Sequence, residues 1–175
     1  SMIQKSVFEC AIAGCQTIWI VANDDMAPII RKTLGDWVYD PVYYYRKDKF
    51  YKDKRKEIPI YYVPVHPKDR DRRDSYGWSA LYGMYSAWYV ASRLSKWVVP
   101  EKYYVTFPHS AFNIYSLREN RQLISHHENN FFLSHEGQTI KNNRHMPFTM
   151  FGDDFKNCRR FVNKETTHTY EDLLE

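Results

Sequence analysis

The sequence predicts an α/β domain of three layers, with a mostly parallel central sheet flanked by helices. Three observations predict it. Extended apolar runs alternate along the chain with helical segments of ten or more residues. Thr17-Ile18-Trp19-Ile20-Val21-Ala22 is an unbroken β-branched and apolar run, the pattern of a strand buried on both faces of a parallel sheet. The 175 residues, 43% hydrophobic and 26% charged, suit a single domain spanning residues 1–175.

Residues 3–14 read as a helix, because Ile3, Val7, Phe8, Ala11 and Ile12 share one face and Gly14 stands at the C-cap. After strand 17–22, Asn23-Asp24-Asp25 ends the extended run and suits the cap of a helix over 26–34, closed by Gly35. Residues 37–45 and 58–65 look extended, and Pro59 and Pro64 put the second of these near an edge or limit its pairing. The clearest helix covers 77–95, with Trp78, Leu81, Tyr82, Tyr85, Trp88, Tyr89 and Leu94 on one broad face. A strand at 102–107 stops at Pro108. A helix over 117–127, a strand at 131–133, a turn at 136–138, a strand at 147–151 and a helix from Asp153 or Asp154 to about 164 complete the chain. Helices 3–14 and 77–95 are expected on the faces of the sheet.

Composition excludes several classes. No apolar run approaches the ~20 residues that span a bilayer. Six glycines argue against a glycine-rich phosphate loop, and three cysteines without framework spacing suit reduced thiols in a cytoplasmic protein. The aromatic share is high, 17%, which suits half-buried strands and wet clefts. Net charge is +4, and Arg46–Glu57 alone carries that amount. Its lysines and arginines interleave with Phe50 and Tyr51, as in phosphate- or base-binding segments. Five lysines against two arginines favour a solvated connection between strands, so a nucleic-acid partner is not expected. Tyrosines 43–45 and 61–62 suit either a homo-oligomer interface or mutual packing across paired strands.

In open α/β sheets ligands bind outside the carboxyl ends of the strands. Three segments qualify: Asn23-Asp24-Asp25, Pro108-His109-Ser110, and Lys68–Ser79 leading into the long helix. Asp24 suits a ribose hydroxyl or a helix cap. Gly77 suits close ligand approach or an ordinary helix start. Trp78 suits a base or the core. Arg73 is a phosphate fork or the partner of Asp71 or Asp74. Asp153 offers the hard carboxylate oxygen that Mg²⁺ prefers, or caps a helix. His126, His127, His135 and His145 lack zinc-site spacing.

The order of several passages resembles the sugar-nucleotide nucleotidyltransferases, or sugar-phosphate pyrophosphorylases. Ala13-Gly14-Cys15-Gln16-Thr17-Ile18-Trp19-Ile20-Val21 resembles that family's passage into its second strand. Asp74-Ser75-Tyr76-Gly77-Trp78-Ser79 sits where the family touches the nucleotide base and opens a long helix. Lys102–His109 resembles the strand that normally ends in a metal-binding aspartate, and Phe148–Phe155 a later passage whose aspartate holds the second metal contact. The resemblance implies a nucleotide-diphospho-sugar-transferase-like fold that binds a nucleoside triphosphate and a sugar phosphate with Mg²⁺ and releases pyrophosphate. It implies nucleotide contacts at Asn23, Asp24, Tyr76, Gly77, Trp78 and Ser79, catalytic roles for Arg73 and His109, and metal binding at Asp153. Two features depart from the family. Its first strand and glycine-rich loop would lie upstream of Met2, and Pro108-His109 replaces the metal aspartate. A non-catalytic binding or scaffold domain on the same fold is the alternative, and a nucleic-acid module using 46–56 is another.

Overall fold

The structure is a computed structural model describing residues 1–44, 56–73, 76–94, 99–110 and 112–161. Apart from Lys56, the basic connection expected at 46–56 lies outside the described residues. So do Asp74 and Ser75, expected to lead into the long helix.

Helix α1 (Met2–Ala13) begins with a capping box, in which the Ser1 hydroxyl accepts from the Gln4 N–H and the Gln4 side chain accepts from the Ser1 amine. Gly14 ends it in the left-handed region, φ 98°, with its N–H donating to Ala11 O and the Cys15 N–H donating to Cys10 O, both at 3.2 Å. A β-carbon at Gly14 would also come within 2.7 Å of Ser125 Oγ, so both conformation and space require glycine there.

Strand β1 (Ile18–Asn23), helix α2 (Ala27–Leu34), strand β2 (Trp37–Tyr39) and the short helix α3 (Pro41–Tyr44) follow. The extended segment expected over 37–45 therefore breaks at Asp40, whose carboxylate accepts the Val42 N–H at 3.0 Å, while Pro41 takes the first helical position. Strand β3 (Glu57–Val65) is the middle strand of the sheet β1-β3-β2. It pairs antiparallel with β2 over 57–59 and parallel with β1 over 60–65. Its prolines survive in a central strand because each lies where only one neighbour is paired. Ile60 N–H donates towards the β2 side, to Asp36 O, and Val65 O accepts from Asp24 N–H on the β1 side. Alternation then turns Pro59 towards β1 one residue before that pairing starts, and Pro64 towards the β2 side beyond the end of β2.

Helix α4 (Pro67–Arg73) leads to α5 (Tyr76–Tyr89), which continues as a π-helical turn over Val90–Leu94. Ile18, Ile20, Ile58 and Ile60 face α1 and join Val7, Cys10 and Ala11 in the core. Trp19 and Val21 point the other way. Trp19 stacks on its cross-strand partner Tyr61, ring centroids 4.4 Å apart, and Val21 meets α5 at Gly83, where a β-carbon would lie 2.8 Å from Val21 Cγ2.

Among the described residues, strand β4 (Lys102–Val105) pairs only antiparallel, with β5 (Phe148–Phe151), whose other side carries a single bridge to Phe132. The helix expected over 117–127 is two helices, α6 (Ile114–Glu119) and α7 (Arg121–His126). The break falls at Asn120, whose side-chain amide, at 2.9 Å, joins its own backbone N–H, at 3.1 Å, on Ser116 O. Helix α8 (Gly152–Phe161) ends the described chain.

The three-layer, mostly parallel sheet expected from the sequence is thus not the fold. The molecule is mixed α/β with two small sheets, a three-stranded mixed one and a two-stranded antiparallel one. Among the described residues only β1 and β3 run parallel. The apolar run at 102–107 reads as a parallel core strand, yet its partner returns antiparallel, and all four residues of β4 remain half-buried. Among the described residues no helix is long and apolar enough to cross a membrane.

Two buried charges tie these parts together. Asp40, 1% exposed, receives Arg121 in a fork: Nη1 to Oδ1 at 3.0 Å and Nη2 to Oδ2 at 2.5 Å. The same Nη1 donates to Ala11 O at 3.2 Å. Glu9, fully buried, accepts the Phe112 N–H at 3.0 Å through Oε1, while Oε2 has no partner among the described residues.

Removing either half of the Arg121–Asp40 pair leaves an uncompensated buried charge. Arg121→Ala or Asp40→Ala should each cost about 3–5 kcal/mol in urea unfolding, and the double variant well under the sum of the two. Additive losses would show that the pair does not act as a unit. Burial raises the Glu9 carboxyl above its ordinary value, against the smaller lowering effects of the Phe112 N–H and Lys5. The native state therefore holds that proton more tightly than the unfolded chain. Stability from this group is present below the unfolded value of about 4.3 and falls as pH climbs through the folded value. Glu9→Gln keeps the acceptor without the charge, so its Tm relative to the parent should rise between pH 4 and pH 7. A pH-independent difference would contradict this.

Candidate functional site

Strand ends bring the sequence-predicted residues into two places. At the first, the carboxyl ends of β1 and β3 lie side by side, since Asn23 pairs with Val65. Asp24 is held by Arg70, whose Nη2 also reaches Asp25 Oδ1 at 3.0 Å. Asp24 is thus an ion-pair partner and not a helix cap: α2 starts after Met26 with no side-chain cap. Asn23 is exposed beside it. The cation that meets this loop, Arg70, was missed by the sequence reading, which singled out Arg73. Only the backbone of Arg73, the last residue of α4, is described.

At the second place the first turn of α5 meets the end of β4. The Tyr76 hydroxyl lies 2.9 Å from His145 Nε2, and the Tyr76 ring packs edge-on against Phe107 at 5.0 Å. His109 stands against His145, centroids 5.0 Å apart. His145 is fixed from both ends of its backbone: its N–H donates to Asn143 Oδ1, and its carbonyl accepts from Ser110 Oγ at 2.7 Å. Burial lowers the His145 pKa, and the nearby His109 and Arg144 lower it further. Two predicted segments, Tyr76–Ser79 and Pro108–Ser110, are therefore joined by a residue far from both in sequence. Gly77 is buried in α5, and Trp78 stacks on Tyr82 at 4.8 Å and 15°, a packing role.

Beside this cluster opens a cavity of about 1160 Å³, with Tyr76, Ser79, Phe107 and His109 in its wall. Residues 17–21 and 102–107 line it consecutively, not alternately. A strand face would contribute every second residue, so β1 and β4 present edges to this space. Each has one paired edge among the described residues, to β3 and β5 respectively. The wall also includes Cys10, Cys15, Tyr104, Asp40 and Arg121. The Tyr104 hydroxyl has no partner among the described residues, and burial, then Cys10, Cys15 and Glu9, push its pKa far up. Burial pushes Tyr103 up to about 12.

Asp153 does not by itself make a Mg²⁺ site. It is exposed on the first turn of α8 and accepts from Lys156 Nζ at 3.0 Å. Its neighbour Asp154 accepts from Asn130 at 2.6 Å. Among the described residues no three His, Cys, Asp or Glu side chains gather as a metal site would require. Of the cavity's carboxylates, Asp40 is already committed to Arg121.

No family model matches the chain, and neither a curated protein nor a solved structure matches it.

His145 should titrate below the ordinary histidine value of about 6.5 in an NMR pH titration of the ring protons. It is then neutral at pH 7, able to exchange one hydrogen bond with Tyr76. His109→Ala should move the titration upward, without restoring it fully, because burial is the larger cause. An unchanged His145 titration in that variant would remove His109 from the account.

Proposed function

We propose that the chain binds a nucleoside triphosphate in the cavity beside Tyr76 and His109, in the service of nucleotidyl transfer to a sugar phosphate. The carrying observation is the junction of the Tyr76–Ser79 turn with the Phe107-Pro108-His109 strand end in one cavity wall. A volume of about 1160 Å³ suits a ligand larger than a single nucleobase. Tyr76 and Phe107 offer aromatic surface to a base, and Ser79 and His109 offer hydrogen bonds to ribose or phosphate.

In such a reaction an acceptor phosphate oxygen attacks the α-phosphorus while the bond to the pyrophosphate oxygen breaks. Positioning and charge neutralisation supply most of the rate, and no covalent enzyme intermediate is needed. His109, exposed at the strand end, is the candidate group to face the developing charge, with Arg73 the second group that the resemblance implies.

A second reading, a non-catalytic binding domain, is favoured by one observation. His109 stands where the resemblance expects a metal aspartate, and Asp153 is paired with Lys156.

Isothermal titration of the full chain with each common nucleoside triphosphate, with and without Mg²⁺, tests both readings. Binding is expected, weakened about tenfold or more by Tyr76→Ala, on the scale of one lost base stack. Binding with pyrophosphate release when a sugar phosphate is added supports transfer. Binding without turnover supports the second reading. No heat and no thermal shift with any nucleotide overturns both.

A further inference from the structure

The hydrogen bonds at the end of α1 form a Schellman motif. Gly14 N–H bonds to Ala11 O, and Cys15 N–H bonds to Cys10 O. In this motif the side chains on either side of the longer bond are brought into contact, a contact that is usually apolar. Here both positions are cysteine. Cys10 lies in the core cluster, and Cys15, half-buried, packs against that same cluster. A disulfide wants Cα atoms roughly 4.4–6.8 Å apart, and the direct backbone bond between these residues, 3.2 Å from N to O, holds them near that range.

We propose that Cys10 and Cys15 are a redox-active dithiol, oxidised by hydroperoxides to an intramolecular disulfide. Both cysteines line the cavity, so a small peroxide reaches them without unfolding α1. Their surroundings divide the roles. The Cys10 thiol and the Arg121 guanidinium lower the Cys15 thiol below its ordinary value, against burial. The neighbouring Cys15, then burial and Glu9, raise Cys10. Cys15 is also the more accessible of the two and follows Gly14, against which Arg121 packs, so it is the attacking sulfur and the core thiol Cys10 the resolving one. The Cys15 thiolate attacks one peroxide oxygen, the O–O bond breaks, and the other oxygen leaves as the alcohol (water, for hydrogen peroxide) after taking up a proton. The Cys15 sulfenic acid then receives the Cys10 sulfur. The S–O bond breaks, and the hydroxyl departs as water with the Cys10 proton. The sulfur pair loses two electrons and the peroxide bond gains them, so no other co-reactant is required.

The third thiol, Cys158, lies on α8 beside the separate Leu81–Met84–Phe155 cluster, where burial, then Asp154, raises it. It serves as an internal control. The reduced full chain, treated with a slight excess of hydrogen peroxide, should lose the mass of two hydrogen atoms, and its free thiols should fall from three to one. Tryptic mapping should find the bond within a single peptide, because no Lys or Arg separates Cys10 from Cys15. Oxidation should be about tenfold or more faster than that of Cys158. Cys158→Ser should react as the parent does. Cys10→Ser should accumulate a sulfenic acid at Cys15 that dimedone traps, while Cys15→Ser should give neither disulfide nor label. Three surviving thiols, a bond to Cys158, a bond between two molecules, or dimedone on Cys10 of Cys15→Ser would each overturn the proposal. Because each variant is read by mass at a named sulfur, a folding defect cannot imitate the expected pattern.

Discussion

The fork from Arg121 to Asp40 is the interaction on which the arrangement depends. Asp40 closes β2, caps α3 and donates its own N–H to Lys56 O, at the entry to β3. Arg121 opens α7 and reaches Ala11 O at the end of α1. One ion pair thus joins segments 81 residues apart and fixes the helix that packs on the three-stranded sheet. A guanidinium suits this work better than an ammonium would, because its planar donors serve two carboxylate oxygens and a carbonyl at once. Gly14 must lack a side chain for the same reason: the Arg121 Cγ lies 3.2 Å from where its β-carbon would be.

The second sheet is held differently. Its core, Phe107, Ile140, Met146 and Phe148, is apolar, and the 2.7 Å bond from Phe131 N–H to Thr149 Oγ1 replaces a missing ladder rung. Lys102 crosses its end, donating to His127 O and lying over the rings of Phe131 and Phe151 at about 5 Å. Burial lowers its pKa. The two sheets meet through side chains and helices, with Tyr104 packed against the α1 core, and not through shared strand pairing.

Local pattern made much of this legible. The helix over 2–13 with its Gly14 cap, the strand from Ile18, the helix from Tyr76 and the strand pieces near 102 and 148 all carry periodicity or capping signals that need no distant partner. Strand direction carries no such signal. An apolar run reads the same whether its neighbour runs parallel or antiparallel, and so the sheet expected as one parallel layer divides into two. Of the two readings of Pro59 and Pro64, limited pairing holds and an edge position does not, because their tolerance depends on where β1 and β2 stop. Of the candidate site, the Tyr76–Ser79 and Pro108–Ser110 segments were visible as strand and helix ends. His145, Arg121, Arg70 and Asp40 were not, because their partners lie 46 to 81 residues away and spacing cannot reveal them.

Strand β1 carries an asymmetry of its own. Asp24 N–H bonds to Val65 O, so counting back along the strand turns the main-chain groups of Ala22, Ile20 and Ile18 towards β3 and those of Trp19 and Val21 towards the cavity. Side chains alternate between α1 and α5 while amides alternate between a hydrogen-bonded neighbour and open space. The buried Ile18 and Ile20 are thus paired to β3, while the half-buried Trp19 and Val21 carry main-chain polar groups with no ladder partner among the described residues. Such groups need water or some other donor and acceptor to occupy them. The backbone of Trp19 and Val21 therefore lays a polar seam along a cavity wall whose side chains are largely apolar.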